Sequence, residues 1–177
     1  PDFGQVEADP AVLNLGPFES FFQEKRPFFI EGAQAFEHPD FNLFYSRRIG
    51  TGSEFTRIRA AGKLTGKTAG NFNVAALVSA TDEFLPGKAH NPFRSAGQRT
   101  YYGVGRFGKE SGNGAHRFNL MQTFVLRDSG LRQSVDDDPM LSRDAYSSGA
   151  DFEMNFKERT YGVSGSFVTT MIQNAPV

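Results

Sequence analysis

From about residue 54 onward the chain alternates apolar and polar residues in long runs, and the runs come in pairs. Residues 56–66, TRIRAAGKLTG, set Ile58, Ala60, Gly62 and Leu64 on one face and Arg57, Arg59, Lys63 and Thr65 on the other. Residues 71–81, NFNVAALVSAT, do the same with Phe72, Val74, Ala76, Val78 and Ala80. Successive side chains of a β-strand point to opposite faces, so a period of two identifies strands. The pattern recurs at 99–108 (RTYYGVGRFG) and 117–127 (RFNLMQTFVLR), then at 146–156 and 160–172 (TYGVSGSFVTTMI). The spacing predicts three consecutive hairpins, hence one antiparallel meander of about six strands.

The predicted strands are about 10 to 13 residues long, against roughly 5–6 in soluble sheets and roughly 9–11 for a tilted strand crossing a membrane. Their connections alternate in length. The hairpin turns near 67–70, 111–114 and 158–159 are short; the links at 82–98 and 128–144 are long, polar and rich in Gly, Pro or Asp. Short turns on one rim and long loops on the other characterise outer-membrane barrels. Phe55, Tyr101, Tyr102, Phe124 and Tyr146 fall near the long-loop ends, and Phe72, Phe107, Phe118, Phe156 and Tyr161 near the short-turn ends. Two aromatic belts flanking smaller residues match the interface girdles of such barrels. A large β-sandwich or a lipocalin-like barrel also alternates, and the absence of Trp argues in that direction. Strand length and loop asymmetry favour the membrane barrel. The expected fold is all-β: residues 54–177 supply antiparallel strands of a larger barrel, with raw edges at both ends.

Residues 1–53 follow other rules. PFESFFQEKRPFFIEGAQAF (17–36) crowds Phe18, Phe21, Phe22, Phe28, Phe29 and Phe36 among charges, and Pro10, Pro17 and Pro27 break regular structure. A short helix is expected near 17–23, with Pro at its first turn. So many phenylalanines must pack on something; the barrel lumen, which would make the segment a plug, and a neighbouring domain before residue 1 are the candidates. Its charges then need partners, because an unpaired buried charge is costly. Glu24, Lys25, Arg26, Arg47 and Arg48, with Arg57, Arg59 and Lys63 on the first strand, are the candidate binding or lumen-facing residues.

Other chemistry is thinly signalled. Net charge is −1, from 19 basic and 20 acidic residues, so no electrostatic affinity for nucleic acid is expected. With no Cys, disulfides and thiolate metal sites are excluded. Residues 103–108, GVGRFG, fit a dinucleotide fingerprint but lie inside a strand rather than at a strand-to-helix turn. AGKLTGKT (61–68) is one Gly short of a phosphate loop and precedes a strand instead of a helix. Asp136, Asp137, Asp138 and Asp144 lack EF-hand spacing. Asp2, Glu7 and Asp9 form a second acidic group, weakly suited to a metal. His38, His90 and His116 stand in no catalytic context, and GVSGS at 162–166 misses the nucleophile-elbow pattern. No cofactor is expected.

The blocks PDFGQVEADPAVLNLGPFESFFQEKRPFFIEG, LFYSRRIG, AAGKLTGKT and ERTYGVSG resemble, in order, those of domain-of-unknown-function family 5916. One departure is Gln23, where that family commonly has Pro. The resemblance implies a bacterial outer-membrane protein in which this region follows a family-9-like carbohydrate-binding domain and precedes further strands. Consistent with an excerpt, the chain begins with Pro1-Asp2-Phe3 rather than Met. The expected partners are the lipid bilayer and, through the upstream domain, a carbohydrate. The expected role is binding or transport at the outer membrane. The alternative is an outer-membrane hydrolase acting on a carbohydrate-like or other polymer; the sequence offers no nucleophile–base pair for it.

Overall fold

Alternation of this regularity, interrupted only by turn-forming residues, folds as consecutive strands that pair with their sequence neighbours. The computed structural model of the protein describes residues 21–50, 57–82, 99–127 and 144–173. Six strands form one sheet: β1 Arg57–Lys67, β2 Phe72–Asp82, β3 Arg99–Glu110, β4 His116–Arg127, β5 Ala145–Phe156 and β6 Tyr161–Ile172. All neighbours are antiparallel and the spatial order is the chain order. β1 and β6 do not pair, so the sheet is open, as expected of fewer strands than the roughly eight of the smallest membrane barrels. Each strand has 11 or 12 residues.

The turns close the hairpins through local hydrogen bonds. In residues 68–71 the Thr68 amide donates to the Phe72 carbonyl at 2.8 Å, and Asn71 takes the left-handed conformation that Asn tolerates. Gly114 does the same in 111–114, with φ of 67°. The last turn is different. Lys157, Glu158 and Arg159 all have positive φ, at 48°, 55° and 69°, with no glycine among them.

Pairing register sorts the side chains onto two unlike faces. One carries Val74, Ala76 and Val78 of β2, Tyr101 and Phe107 of β3, Phe118, Leu120 and Phe124 of β4, Ala150 and Phe152 of β5, and Val163 and Phe167 of β6. Several of its large apolar side chains are bare; Leu120 is 62% exposed and Phe167 67%. Aromatic rings on this face fill gaps left by glycines on the neighbouring strand. Phe124 lies over Gly103 and Phe152 over Gly165, so closely that a Cβ on either glycine would strike the ring.

The opposite face is covered by residues 21–50. These fold as a short helix α1, Pro27–Ile30, and two single-turn 3₁₀ pieces at Ala33–Phe36 and Ser46–Arg48. Pro27 opens α1, where a missing amide hydrogen costs nothing. The helix expected near 17–23 therefore lies instead over the second Phe pair; Gln23 is outside any helix and residues 17–20 fall outside the described part. Phe29, Phe36 and Ile49 of this segment bury against Ala75, Leu77, Val104 and Met121 of the sheet, and this is the core of the described structure.

Four expectations need correction. A β-bulge between Ile58 and Ala60 slips β1 by one residue, so Ile58 pairs with Thr81 on the covered face while Ala60, Gly62 and Leu64 keep the bare one. Arg59, expected to face the lumen with Lys63, occupies the bulge and is exposed. Tyr102, assigned to an aromatic belt, pairs with Ser79 and Val125 on the covered face. And Phe21 does not pack on the sheet: it is 62% exposed and meets Tyr45 edge-on at 5.1 Å.

Candidate functional site

The covering segment is held by a clasp built from its two most charged stretches. Arg26 is 2% exposed. Its Nε and Nη2 donate to the two carboxylate oxygens of Glu24 at 2.8 and 2.7 Å. Nη2 also donates to the Ser46 carbonyl at 2.8 Å, and Nη1 to the Ile49 carbonyl. The guanidinium plane lies 4.3 Å from the centre of the Phe29 ring. Glu24 also accepts from the Ser46 hydroxyl at 2.7 Å and from the backbone amides of Lys25 and Arg26. Burial pushes the Glu24 carboxyl up, but these hydrogen bonds and the Arg26 charge outweigh it and hold the group below the usual Glu range. Tyr45 adds a second tie: its hydroxyl accepts from the Phe22 amide at 2.8 Å and donates to the Phe22 carbonyl at 2.9 Å.

The clasp joins the segment to itself; Lys63 and the gap at Gly149 join it to the sheet beside the apolar core. Lys63, on the covered face of β1, donates its ammonium to the carbonyls of Phe28 at 2.6 Å and Glu31 at 2.5 Å. At β5, Gly149 leaves a hole that receives His38 and Leu43. A Cβ there would sit 2.7 Å from Leu43 Cδ1 and 3.0 Å from His38 Cδ2. His38 is 7% exposed; its Nδ1 accepts from the Asp40 amide at 3.3 Å and its Nε2 has no partner.

Beyond the segment the covered face turns polar. Arg106 of β3 reaches across β4 and holds both oxygens of Asp151 on β5, at 3.1 and 2.9 Å, while Asn119 of the intervening strand donates to the same carboxylate at 2.9 Å. Arg117 pairs with Glu153, which also accepts from Asn155 at 2.8 Å. Nearer the first hairpin turn, Lys67 pairs with Glu110, which accepts from Asn73 at 3.0 Å. Each pair thus joins opposite charges and adds a side-chain amide; for Arg106 and Asp151, largely withdrawn from water, such pairing is required, whereas Arg117 and Glu153 stay exposed. The Arg106–Asp151 and Arg117–Glu153 rungs and the segment's Gln34, Glu37 and Asp40 line a cleft of about 910 Å³, floored on β6 by Ser164 and Ser166. Glu37 and Asp40 have no cationic partner among the described residues and leave the cleft net acidic.

Of the residues singled out in the sequence, Glu24 and Arg26 pair as expected but serve the segment's own fold. Arg47 is buried within it, whereas Arg48 is exposed. Lys25 sits half-buried, with its amide on Glu24. Lys63 lies on the covered face of β1, opposite Leu77. The side chain of Arg57, and Asp2, Glu7 and Asp9, lie outside the described residues. Asp136, Asp137 and Asp138 also lie outside them; Asp144 is buried and accepts from the Arg127 amide at 3.0 Å. Asp151, Glu153 and Asn155 alternate in the sequence onto the face where they are found. Arg106 and Arg117, their partners, were hidden: Arg106 stands in a glycine-rich hexapeptide and reaches a strand that is not its neighbour. No group of three metal-ligating side chains occurs among the described residues.

A family model described as a domain of unknown function, DUF5916, matches residues 1–83. The matched span contains both halves of the clasp and the Lys63 tie. No curated protein and no solved structure matches the chain. Over its first 83 residues the chain is thus similar to the DUF5916 family.

Proposed function

We propose that this chain forms part of the wall of an outer-membrane β-barrel, with residues 21–50 lying inside the lumen as a plug, and that the barrel binds or admits a solute rather than acting as an open pore. The observation that carries this reading is the contrast between the faces. The bare face is apolar along the mid-length of all six strands. Of its polar side chains at that height, Gln122 and Ser148 bond to each other at 2.5 Å, and Thr169 stands beside Ser148 on β6. The other face holds paired charges. A soluble sheet with one covered face would put its charges on the bare side and its apolar residues within; here the charges line the covered side, as in a wet barrel interior.

Dimensions support the same reading. A strand of 12 residues runs roughly 40 Å, and at a tilt near 45° it would rise roughly 28 Å, close to the ~30 Å hydrocarbon core of a bilayer. Among the described residues no helix is long and apolar enough to cross a membrane. The plug covers the lumen side of β2–β4 and leaves the polar cleft open over β5 and β6, where a solute would meet Ser164, Ser166 and the paired charges.

Planar-bilayer recording of the intact protein tests the plugged state. Small or absent steady conductance is expected, rising when residues 21–50 are deleted. Large steady channels from the intact protein would contradict the plug.

A further inference from the structure

We infer that the short-turn end of the bare face is a docking surface for the phosphate of an anionic phospholipid headgroup, held by Lys109 and Lys157. This names a lipid partner for the barrel proposed above and rests on that reading. The bare face ends there in rings. Phe72 and Phe107 stack with centroids 5.4 Å apart, and Phe156 and Tyr161 pair across the last hairpin. Aromatic belts of this kind sit at headgroup level. Two ammonium groups cap the belt, one over β2 and β3 and one over β6. Lys109 Nζ lies 3.8 Å from the centre of the Phe72 ring, and Lys157 Nζ lies 5.4 Å from that of Tyr161. Attraction to the rings holds both charges at the level of the belt. An ammonium has three hydrogens; Lys109 gives one to the Gly70 carbonyl at 2.5 Å and keeps the others for an incoming oxygen.

The placing of the carboxylates gives this end its sign. Glu110 and Glu153 belong to it, but register puts both on the covered face, paired with Lys67 and Arg117. Among the described residues no carboxylate holds a bare-face strand position at this end. In the last turn Glu158 stands between Lys157 and Arg159 and leaves the turn net positive. That turn closes on three successive positive-φ residues, Lys157, Glu158 and Arg159. Glycine would adopt the same backbone freely, so what the costly closure retains is side chains, two of them cations. Arg159 extends toward the neighbouring turn, its Nη2 3.8 Å from where a Cβ on Gly114 would stand. Rings beneath and cations above fit one lipid molecule, its acyl chains against Phe72 and Tyr161 and its phosphate on the lysines. An acidic protein segment would use the cations and leave the rings uncovered.

The test reads which lipid lies beside each end of the bare face. The chain has no cysteine, so one introduced thiol carries one fluorophore. Gly112→Cys, in the 111–114 turn where an added Cβ meets nothing within 4 Å, reports the short-turn end. Met171→Cys, exposed and opposite Tyr146 on β5, reports the other. The intact protein is placed in phosphatidylcholine vesicles containing a quencher lipid with a nitroxide near its headgroup, either phosphatidylglycerol or phosphatidylcholine at equal mole fraction. At Gly112→Cys the phosphatidylglycerol quencher is favoured by about fivefold at low salt, the effect of one lysine beside an anionic surface. At Met171→Cys the two quench alike. In about 1 M salt, where the screening length is about 3 Å, the preference disappears. Lys109→Gln combined with Lys157→Gln abolishes it, and arginine at both positions keeps it. Lys157→Gln alone, which removes no hydrogen bond found among the described residues, lowers it and serves where the double variant fails to fold. Equal quenching by both lipids at Gly112→Cys in the parent overturns the headgroup site and leaves the barrel standing. A preference that survives both glutamines, or that is as large at Met171→Cys, overturns the assignment to these lysines. Quenching by neither lipid at either position overturns the barrel and the site together.

Discussion

Arg26 shows how much one side chain organises. It joins two stretches twenty or more residues apart by donating to the backbone carbonyls of Ser46 and Ile49. Removing one partner of such a buried pair costs roughly 3–5 kcal/mol, so Arg26→Ala should release the segment from its fold, read as protease cleavage within 21–50. Arg26→Lys should behave almost as badly, because a point charge cannot bond both Glu24 oxygens and two carbonyls at once. Glu24 adds a pH dependence with a definite sign. Its folded pKa is depressed, so its contribution is fully present above the ordinary Glu value of about 4.3 and is lost as pH falls through the lower folded value. Glu24→Gln should abolish that acid-dependent loss, measured by exchange at the Ile49 amide. Gly149 makes the complementary case, where the absent side chain matters. Gly149→Val should push His38 and Leu43 off β5 and destabilise by about 1–3 kcal/mol, as overpacking does, measured by denaturant unfolding.

At the scale of elements, most of the sheet was legible. Alternation placed all six strands and their neighbours because a one-residue slip would move every apolar side chain to the wrong face. It failed at Ile58, where both faces are locally apolar: the bare side continues with Ala60, and the covered side offers the core beneath Gly50. A period of two cannot choose between two apolar sides, so the bulge was invisible. The clasp was illegible for another reason. Glu24, Arg26 and Ser46 belong to a segment with no period, and only the folded chain brings them together. The cleft was half legible, its acids by alternation and its arginines not at all. The last hairpin turn also departs from propensity. Three successive non-glycine residues in left-handed backbone cost about 1–2 kcal/mol each, so Glu158→Gly should stabilise the β5–β6 hairpin by about 1 kcal/mol, measured by the unfolding midpoint of the intact protein.

At the scale of the molecule, the account stands on which solvent each face meets. Paired charges on the covered face and a bare face of Phe, Leu, Val, Ala and Gly fit water inside and hydrocarbon outside. An arginine placed toward lipid costs roughly 2–4 kcal/mol at the bilayer midplane and less near its surfaces, so Val74→Arg should reduce assembly into membranes far more than Asn73→Arg on the other face. The most direct measurement needs no assembly defect. The chain has no cysteine, so single nitroxide labels at Leu120 and Asn119 in the intact protein, reconstituted into vesicles, report two adjacent residues on opposite faces. The account predicts that the label at 120 relaxes through dissolved oxygen in hydrocarbon and is shielded from a water-soluble nickel complex, while the label at 119 shows the reverse. Equal access of the nickel complex to both positions would contradict it.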